Sequence, residues 1–234
     1  NYDLNRYCDV LPFNHNRVRL QGKSDYINAS HILLPPSISP NKYVATQGPL
    51  NHSIADFWRM TWEQGSVCIV MLANPVEKSR NKCAVYWPQQ VGRAMKAGDV
   101  TVTLVDERPL SACLAVVVRK LSLVHRSHAG EPRVVTQLHY TEWPDEGVPV
   151  SPVPILTMIK ELRTTISPSP AVPVVIHCSA GVGRTGTFIV LDAATEYFSK
   201  NRDYPGDFTL DCVKSLRKQR TMTVQTFVQF MFCY

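Results

Sequence analysis

Residues 172–200 constrain the fold more than any other part of the chain. VPVVI (172–176) is a short, apolar, β-branched run, the pattern of a strand buried on both faces. HCSAGVGRTG (177–186) follows, a glycine-rich turn. From residue 184 to 200 apolar residues recur at helical spacing. The segment therefore reads as strand, tight loop and helix, and so short a connection forces the helix back onto the sheet. Within the turn lie a thiol and a guanidinium, Cys178 and Arg184, with five residues between them.

The rest of the chain supplies a sheet and helices to pack around that unit. Residues 25–33 and 43–49 read as strands joined by the turn-forming 34–41, a hairpin. SIADFWRMTWEQ (53–64) starts with an N-cap serine and carries Ile54, Phe57, Trp58 and Thr61 on one helical face. SVCIVML (66–72) is a second doubly buried strand. Residues 98–105, 113–124 and 133–143 suggest an antiparallel meander. Helices are expected at 151–165, with Ile155, Leu156, Ile159 and Leu162 on one side, and at 208–220 and 224–234. Residues 1–20 look irregular. Strands and helices interleave without a strict βαβ rhythm. The expected fold is one α/β (α+β) domain over 1–234, a central twisted mixed sheet flanked by helices. Both ends read as trimmed.

Composition narrows the function classes. The apolar fraction of 44% suffices for a sizeable core. A net charge of +6 favours an acidic partner, whether phosphate, membrane or nucleic acid. Without a basic–aromatic stripe the nucleic-acid reading rests on charge alone, so none is expected. No apolar run approaches the ~20 residues of a membrane span, and no signal-peptide pattern opens the chain. The 7 cysteines include no CxxC pair or zinc ladder, so free thiols in a reducing compartment, and no metal, are expected. Cys68, Cys113, Cys212 and Cys233 read as small buried hydrophobes.

Cys178 sits differently. The two glycines between it and Arg184 let the loop curl so that the amides of Ser179, Ala180, Gly181, Val182 and Gly183 face one space, where the helix dipole also points. Such a cradle takes a phosphate dianion, and Arg184 adds a two-pronged contact to its oxygens. A cysteine at a helix N-terminus ionises more readily than an ordinary thiol, so Cys178 is expected to be an anion in neutral solution. The hydroxyls of Ser179 and Thr185 are candidate donors to the sulfur or the loop. His177 would brace the loop from behind. No GxxxxGK[ST] occurs, which excludes a P-loop nucleotidase.

HCSAGVGRTG resembles the active-site loop of the protein tyrosine phosphatases, and the likeness extends over nearly the whole chain. It implies that Cys178 is the nucleophile and Arg184 the phosphate clamp. TEWPDEGVP (141–149) alone is an ordinary turn; beside the loop it resembles the family's lid, with Asp145 as acid and then base, Trp143 as hinge and Pro144 as stiffener. Glu146 departs from the aromatic ring or histidine common there, which implies weaker ground-state binding with the chemical step intact. VQTFVQF (224–230) places two glutamines four apart, a spacing that by itself suits a solvated helix face. By resemblance Gln225 orients the hydrolytic water and Gln229 supports it.

The resemblance also assigns a pocket. Tyr7 would stack on the phosphotyrosine ring, Asp9 hold the peptide backbone and Val10 line the wall, although Tyr7 alone would read as core packing. Cys8 is either an accessible thiol or an inert one. VEKSRNKCAVYWP (76–88) resembles the hairpin whose Glu77 pairs with Arg184; Lys82 would approach the lid and Tyr86 bond His177. Met222 stands where some relatives have glycine, implying single-site recognition. The expected function is hydrolysis of phosphotyrosine in proteins through a cysteinyl-phosphate, without cofactor or metal. The expected place is the cytoplasm or the cytoplasmic part of a receptor. The alternative is a pseudophosphatase that binds phosphotyrosine without turnover; a dual-specificity enzyme is disfavoured by the Tyr7 region. Oligomeric state is left open.

Overall fold

The computed structural model describes residues 2–22, 24–128, 130–144, 147–166 and 171–234. In chain order its elements are β1 (Arg17–Arg19), β2 (Tyr26–Leu33), β3 (Lys42–Thr46), α1 (Ile54–Glu63), β4 (Cys68–Met71), β5 (Val76–Glu77), β6 (Arg80–Asn81), β7 (Ala94–Ala97), β8 (Val100–Leu110), β9 (Cys113–His125), β10 (Arg133–Tyr140), α2 (Val153–Ile166), β11 (Val174–His177), α3 (Gly183–Phe198), α4 (Phe208–Arg217) and α5 (Phe227–Phe232). Nine strands form one sheet in the order β1-β2-β3-β11-β4-β10-β9-β8-β7, and β5 and β6 pair separately.

β11 lies between β3 and β4 and runs parallel to both, with His177 opposite Thr46 on one side and Met71 on the other. β10 is parallel to β4, whereas β3 with β2, and β9 with both β8 and β10, are antiparallel. The expected mixed sheet and meander are both present. All four residues of β11 are buried, which is why the sequence there is continuously apolar and not alternating. Because β3, β11, β4 and β10 share one direction, the chain leaves all four at the same edge. The loops after Thr46, Met71, Tyr140 and His177 are thus gathered together at the carboxyl edge of the parallel strands, where open α/β sheets place their ligands.

Each face of the sheet has its own core. On one, α1 buries Phe57, Trp58 and Met60 against Val44, Ile69 and Met71. On the other, Ile155, Met158 and Ile159 of α2 and Phe188, Ile189 and Val190 of α3 pack on Val70, Leu138 and Ile176. Each such fully buried side chain contributes about 1.5–3 kcal/mol.

Several elements depart from the sequence reading. β1, β7 and the β5–β6 hairpin are additional strands, and β3 ends at Thr46 and β10 at Tyr140, short of residues 49 and 143. The C-terminal helix begins only at Phe227, because Met222 and Val224 adopt positive φ (53° and 56°) and turn the backbone out of helical geometry. Gln225 therefore stands on a loop, and the two glutamines do not share a helix face.

Candidate active site

β11 delivers Cys178 to the carboxyl edge, where the chain turns. The Cys178 Sγ is almost fully buried and accepts a hydrogen bond from the Gly181 N–H at 3.3 Å. Gly181 has φ +72°, and a Cβ on it would lie 2.1 Å from the Thr46 carbonyl oxygen, so only glycine lets the loop pass so close to β3. The Ser179 carbonyl accepts the Gly48 N–H at 2.9 Å, which ties the loop to the segment after β3. α3 starts at Gly183 with no side-chain cap, so no side chain competes for its N-terminal amides.

The two hydroxyls divide differently from expectation. Ser179 Oγ makes its contacts with the Tyr7 hydroxyl (2.9 Å) and the Lys82 carbonyl (3.0 Å), joining the pocket wall to the loop instead of donating to sulfur. Thr185 Oγ1 is buried and makes no hydrogen bond among the described residues.

His177 is fully buried behind the loop. Its Nδ1 lies 3.0 Å from the Cys178 carbonyl oxygen and its Nε2 2.8 Å from the Tyr86 hydroxyl. Burial lowers its pKa to about 4, so the ring is neutral at pH 7. A carbonyl only accepts, so Nδ1 carries the proton and Nε2 receives the Tyr86 O–H. Gln137 Nε2 donates to that hydroxyl at 2.8 Å, and Gln137 Oε1 accepts from Arg119 at 2.8 Å. One direction of donation runs from Arg119 to the Cys178 carbonyl. His177 and Tyr86 thus have the relationship expected of them.

Arg184 is held from the same edge. Its two terminal nitrogens donate to Glu77 Oε1 and Oε2 at 2.7 and 2.8 Å, and one also donates to the Leu72 carbonyl at 2.9 Å. Both side chains are buried, so solvent screens the pair little. Glu77 Oε1 further accepts the Asn74 N–H at 2.9 Å. Glu77 is the last residue of β5, so the β5–β6 hairpin carries this carboxylate.

A pocket of about 210 Å³ opens over the sulfur. Tyr7, Asp9 and Val10 form one wall, Lys82 a rim, and Ser179, Ala180, Gly183 and Arg184 the floor with Cys178. Gly181 and Val182 do not line it and contribute through backbone alone. Gln225 and Gln229 close the remaining side. Gln229 Oε1 accepts the N–H groups of Gln225 (3.0 Å) and Thr226 (3.3 Å), so its side chain fixes the loop that carries Gln225. A Cβ on Gly183 would meet that Gln229 amide at 2.9 Å, so this glycine makes room for it. Trp143 is buried and its indole N–H donates to the Gly147 carbonyl at 3.2 Å, while Pro144 is exposed. Asp145 and Glu146 lie outside the described residues.

Among the other cysteines, burial pushes the thiols of Cys83, Cys212 and Cys233 up to about 12 and that of Cys68 higher still. They are neutral thiols, as read from the sequence for all but Cys83. Cys113 is only half-buried, and Cys8 is exposed.

The family model described as protein-tyrosine phosphatase matches residues 1–234. The chain belongs to that family. It is 43% identical to the tyrosine-protein phosphatase Lar-like of Caenorhabditis elegans and 44% identical to the receptor-type tyrosine-protein phosphatase S of Gallus gallus, each over 100% of this chain. It is 41% identical to the human tyrosine-protein phosphatase non-receptor type 4 over 99% of this chain. The chain spans only 10%, 15% and 24% of the lengths of these three relatives. Receptor and non-receptor phosphatases are both among them, and among the described residues no helix is long and apolar enough to cross a membrane.

Within this phosphatase fold, residues that sequence reasoning passed over also shape the pocket. Arg6 donates to the carbonyls of Gly48, Pro49 and Asn81 and so fastens the Tyr7 segment. Arg217 donates to the Thr223 and Val224 carbonyls beneath Gln225. Asn28 donates to the Val10 carbonyl at 2.7 Å. An arginine in a loop or at a helix end carries no sequence mark that separates a buried backbone clamp from a solvated charge.

Proposed function

We propose that this domain, residues 1–234, hydrolyses phosphotyrosine in proteins by way of a cysteinyl-phosphate. The observation that carries the reading is one pocket holding a sulfur that accepts a loop amide, a guanidinium locked by Glu77, and a tyrosine wall bonded to the loop floor. The phosphate enters among the loop amides and Arg184. The Cys178 thiolate attacks phosphorus and the P–O bond to tyrosine breaks. Asp145 gives its proton to the departing phenolate oxygen. Gln225, fixed by Gln229, then orients a water; Asp145 takes a proton from it as the P–S bond breaks, releasing inorganic phosphate and restoring the thiolate. His177 stays neutral throughout and holds the Cys178 carbonyl. Tyr7 stacks on the substrate ring, Asp9 meets the peptide around it, and Lys82 at the pocket rim approaches the lid. Pocket depth selects phosphotyrosine over the shorter phosphoserine. Half-buried Met222 beside the Gln225 loop favours recognition of one phosphotyrosine at a time. Neither metal nor cofactor is needed, and the substrates are met in the cytoplasm, on a soluble parent protein or the cytoplasmic part of a receptor.

The test is release of phosphate from a phosphotyrosyl peptide in EDTA, with Cys178→Ser beside the wild type. Turnover that EDTA leaves unchanged and Cys178→Ser abolishes is the expected result. Tight peptide binding without turnover, or loss of turnover in EDTA, would overturn it.

A further inference from the structure

A second hollow, of about 420 Å³, opens beside the pocket over the sulfur, and the two share Tyr7 and Lys82 as their border. The lining of the second holds Arg6, Arg80 and Lys82 against one acidic residue, Asp3, so it is net positive. Neither arginine is neutralised. The Arg6 guanidinium donates to the carbonyls of Gly48 (3.2 Å), Asn81 (3.1 Å) and Pro49 (2.8 Å), and among the described residues no carboxylate pairs with it. Arg80 is exposed on β6, and its side chain makes no hydrogen bond or ion pair among the described residues. Its cross-strand partner is Glu77, whose two oxygens are taken by Arg184 and the Asn74 amide. A guanidinium with its planar fork open, next to a second positive charge that is fixed in place, suits a carboxylate bound through two parallel N–H···O bonds.

The border between the two hollows is rigid. The Tyr7 hydroxyl lies 2.9 Å from Ser179 Oγ, and Arg6, the residue before it, is clamped by its three carbonyls. On the near wall of the second hollow, His52 Nε2 donates to the Asp3 carbonyl at 2.7 Å, which holds the start of the same segment. With a phosphotyrosine ring stacked on Tyr7, residues one to three positions away in an extended peptide lie within about 10 Å of it. They are close enough to enter a hollow that begins at Tyr7. The charge around the pocket is also lopsided. Arg6 and Arg80 line only the second hollow, Asp9 lines only the phosphotyrosine pocket, and the exposed Cys8 between Tyr7 and Asp9 adds no positive charge there. The two flanks of a bound peptide therefore meet fields of different sign.

We propose that the second hollow is a specificity subsite: Arg80, aided by the charge of Arg6, takes the carboxylate of an Asp or Glu one to three residues from the phosphotyrosine, on the flank that crosses the β5–β6 hairpin. This deepens the phosphatase reading and rests on it for the identity of the substrate. No bond is made or broken at the subsite; it selects among phosphotyrosyl sequences by binding.

The experiment uses a neutral phosphotyrosyl peptide in which one glutamine at a time, on either side of the phosphotyrosine, is replaced by glutamate. The readout is the ratio of kcat/KM for each glutamate peptide to that of its glutamine parent, so any change common to both cancels. The chains compared are the wild type, Arg80→Gln and Arg80→Glu, exposed substitutions that the fold tolerates. In the wild type, glutamate on one flank only is expected to raise kcat/KM about threefold to fivefold, through KM, as a partly exposed ion pair does. Most of that gain should vanish in about 0.5 M salt. Arg80→Gln should cut it below about 1.5-fold, and Arg80→Glu should turn it into a preference for lysine at the same position. No gain at any position, or Arg80 variants that keep the full gain, would overturn the proposal. So would equal gains on both flanks, the signature of the net charge of +6 alone. The Kd of the same peptides for Cys178→Ser, with and without Arg80→Gln, separates this inference from the reaction. A wild type that hydrolyses none of the peptides would overturn the phosphatase reading, while a one-flank glutamate preference in Kd that Arg80→Gln removes would leave the subsite standing.

Discussion

Replacing Glu77 by glutamine is the perturbation that most severely tests how Arg184 is held. The carboxylate accepts three hydrogen bonds, two from the Arg184 guanidinium and one from the Asn74 amide. Glutamine can keep its oxygen at the Oε1 position, serving Asn74 and one arginine nitrogen. Its NH2 must then face the other arginine nitrogen, donor against donor. One charge-assisted bond is lost, about 1.5–3 kcal/mol. The guanidinium also remains buried with its charge no longer balanced. Removing one partner of a buried pair costs about 3–5 kcal/mol, and the surviving bond reduces this, so we expect a loss of about 2–4 kcal/mol. Urea unfolding at pH 7 measures it. A guanidinium free to shift by an ångström no longer meets the phosphate in register, so kcat/KM should fall about 100-fold. Stability within about 0.5 kcal/mol of wild type, the range of an ordinary surface change, would refute the reasoning.

Acid should destabilise the fold before most carboxylates titrate. His177 and His139 are buried neutral, their pKa values lowered to about 4 and about 3 chiefly by desolvation. Unfolded, they take up protons near pH 6.5. Their contribution is therefore complete above that pH and is lost as pH falls toward the folded values, about 2 kcal/mol per histidine at pH 5. Denaturant titrations at pH 7 and 5 that give equal stability would contradict this. Val224 is fully buried in a left-handed conformation that β-branched residues avoid, immediately before Gln225. Val224→Gly relieves about 1 kcal/mol of strain but forfeits about 1.5–3 kcal/mol of burial. The variant should be modestly less stable, and phosphoenzyme should accumulate as water positioning slackens, read as a burst before steady state. No burst at unchanged kcat would count against the role of that loop. Glu146→Phe is expected to lower KM for phosphotyrosyl peptides with kcat little changed; identical KM and kcat/KM would remove the idea that Glu146 weakens binding.

The parts of the fold that sequence revealed are those whose patterns follow from burial. β11 is a continuous apolar run because both its faces are covered, and α1 shows its buried face as Phe57, Trp58 and Thr61. The parts it hid depend on distant partners. β1 is three residues, two of them arginines, held by pairing with β2 and by Asp25. The β5–β6 turn uses Lys78 and Ser79 at positive φ where a tight hairpin usually shows Asn-Gly, so nothing local announces it. Gln225 and Gln229 misled in a different way. Their spacing suits a helix, but the backbone turns at Val224 and the Gln229 side chain reaches back to cap the helix that follows. Ser179 likewise offers a hydroxyl beside the sulfur and spends it on Tyr7, a partner 172 positions away in sequence.

The central claim is that Cys178 itself carries the phosphoryl group. Acid quenching within a single turnover of a phosphotyrosyl peptide, best with Gln225→Ala to slow the second step, followed by mass spectrometry of the peptide bearing residues 177–184, reads this directly. The account predicts one phosphate on the Cys178 sulfur, absent from Cys178→Ser. Phosphate found on His177, or phosphotyrosine cleaved at full rate with Cys178 never modified, would contradict it.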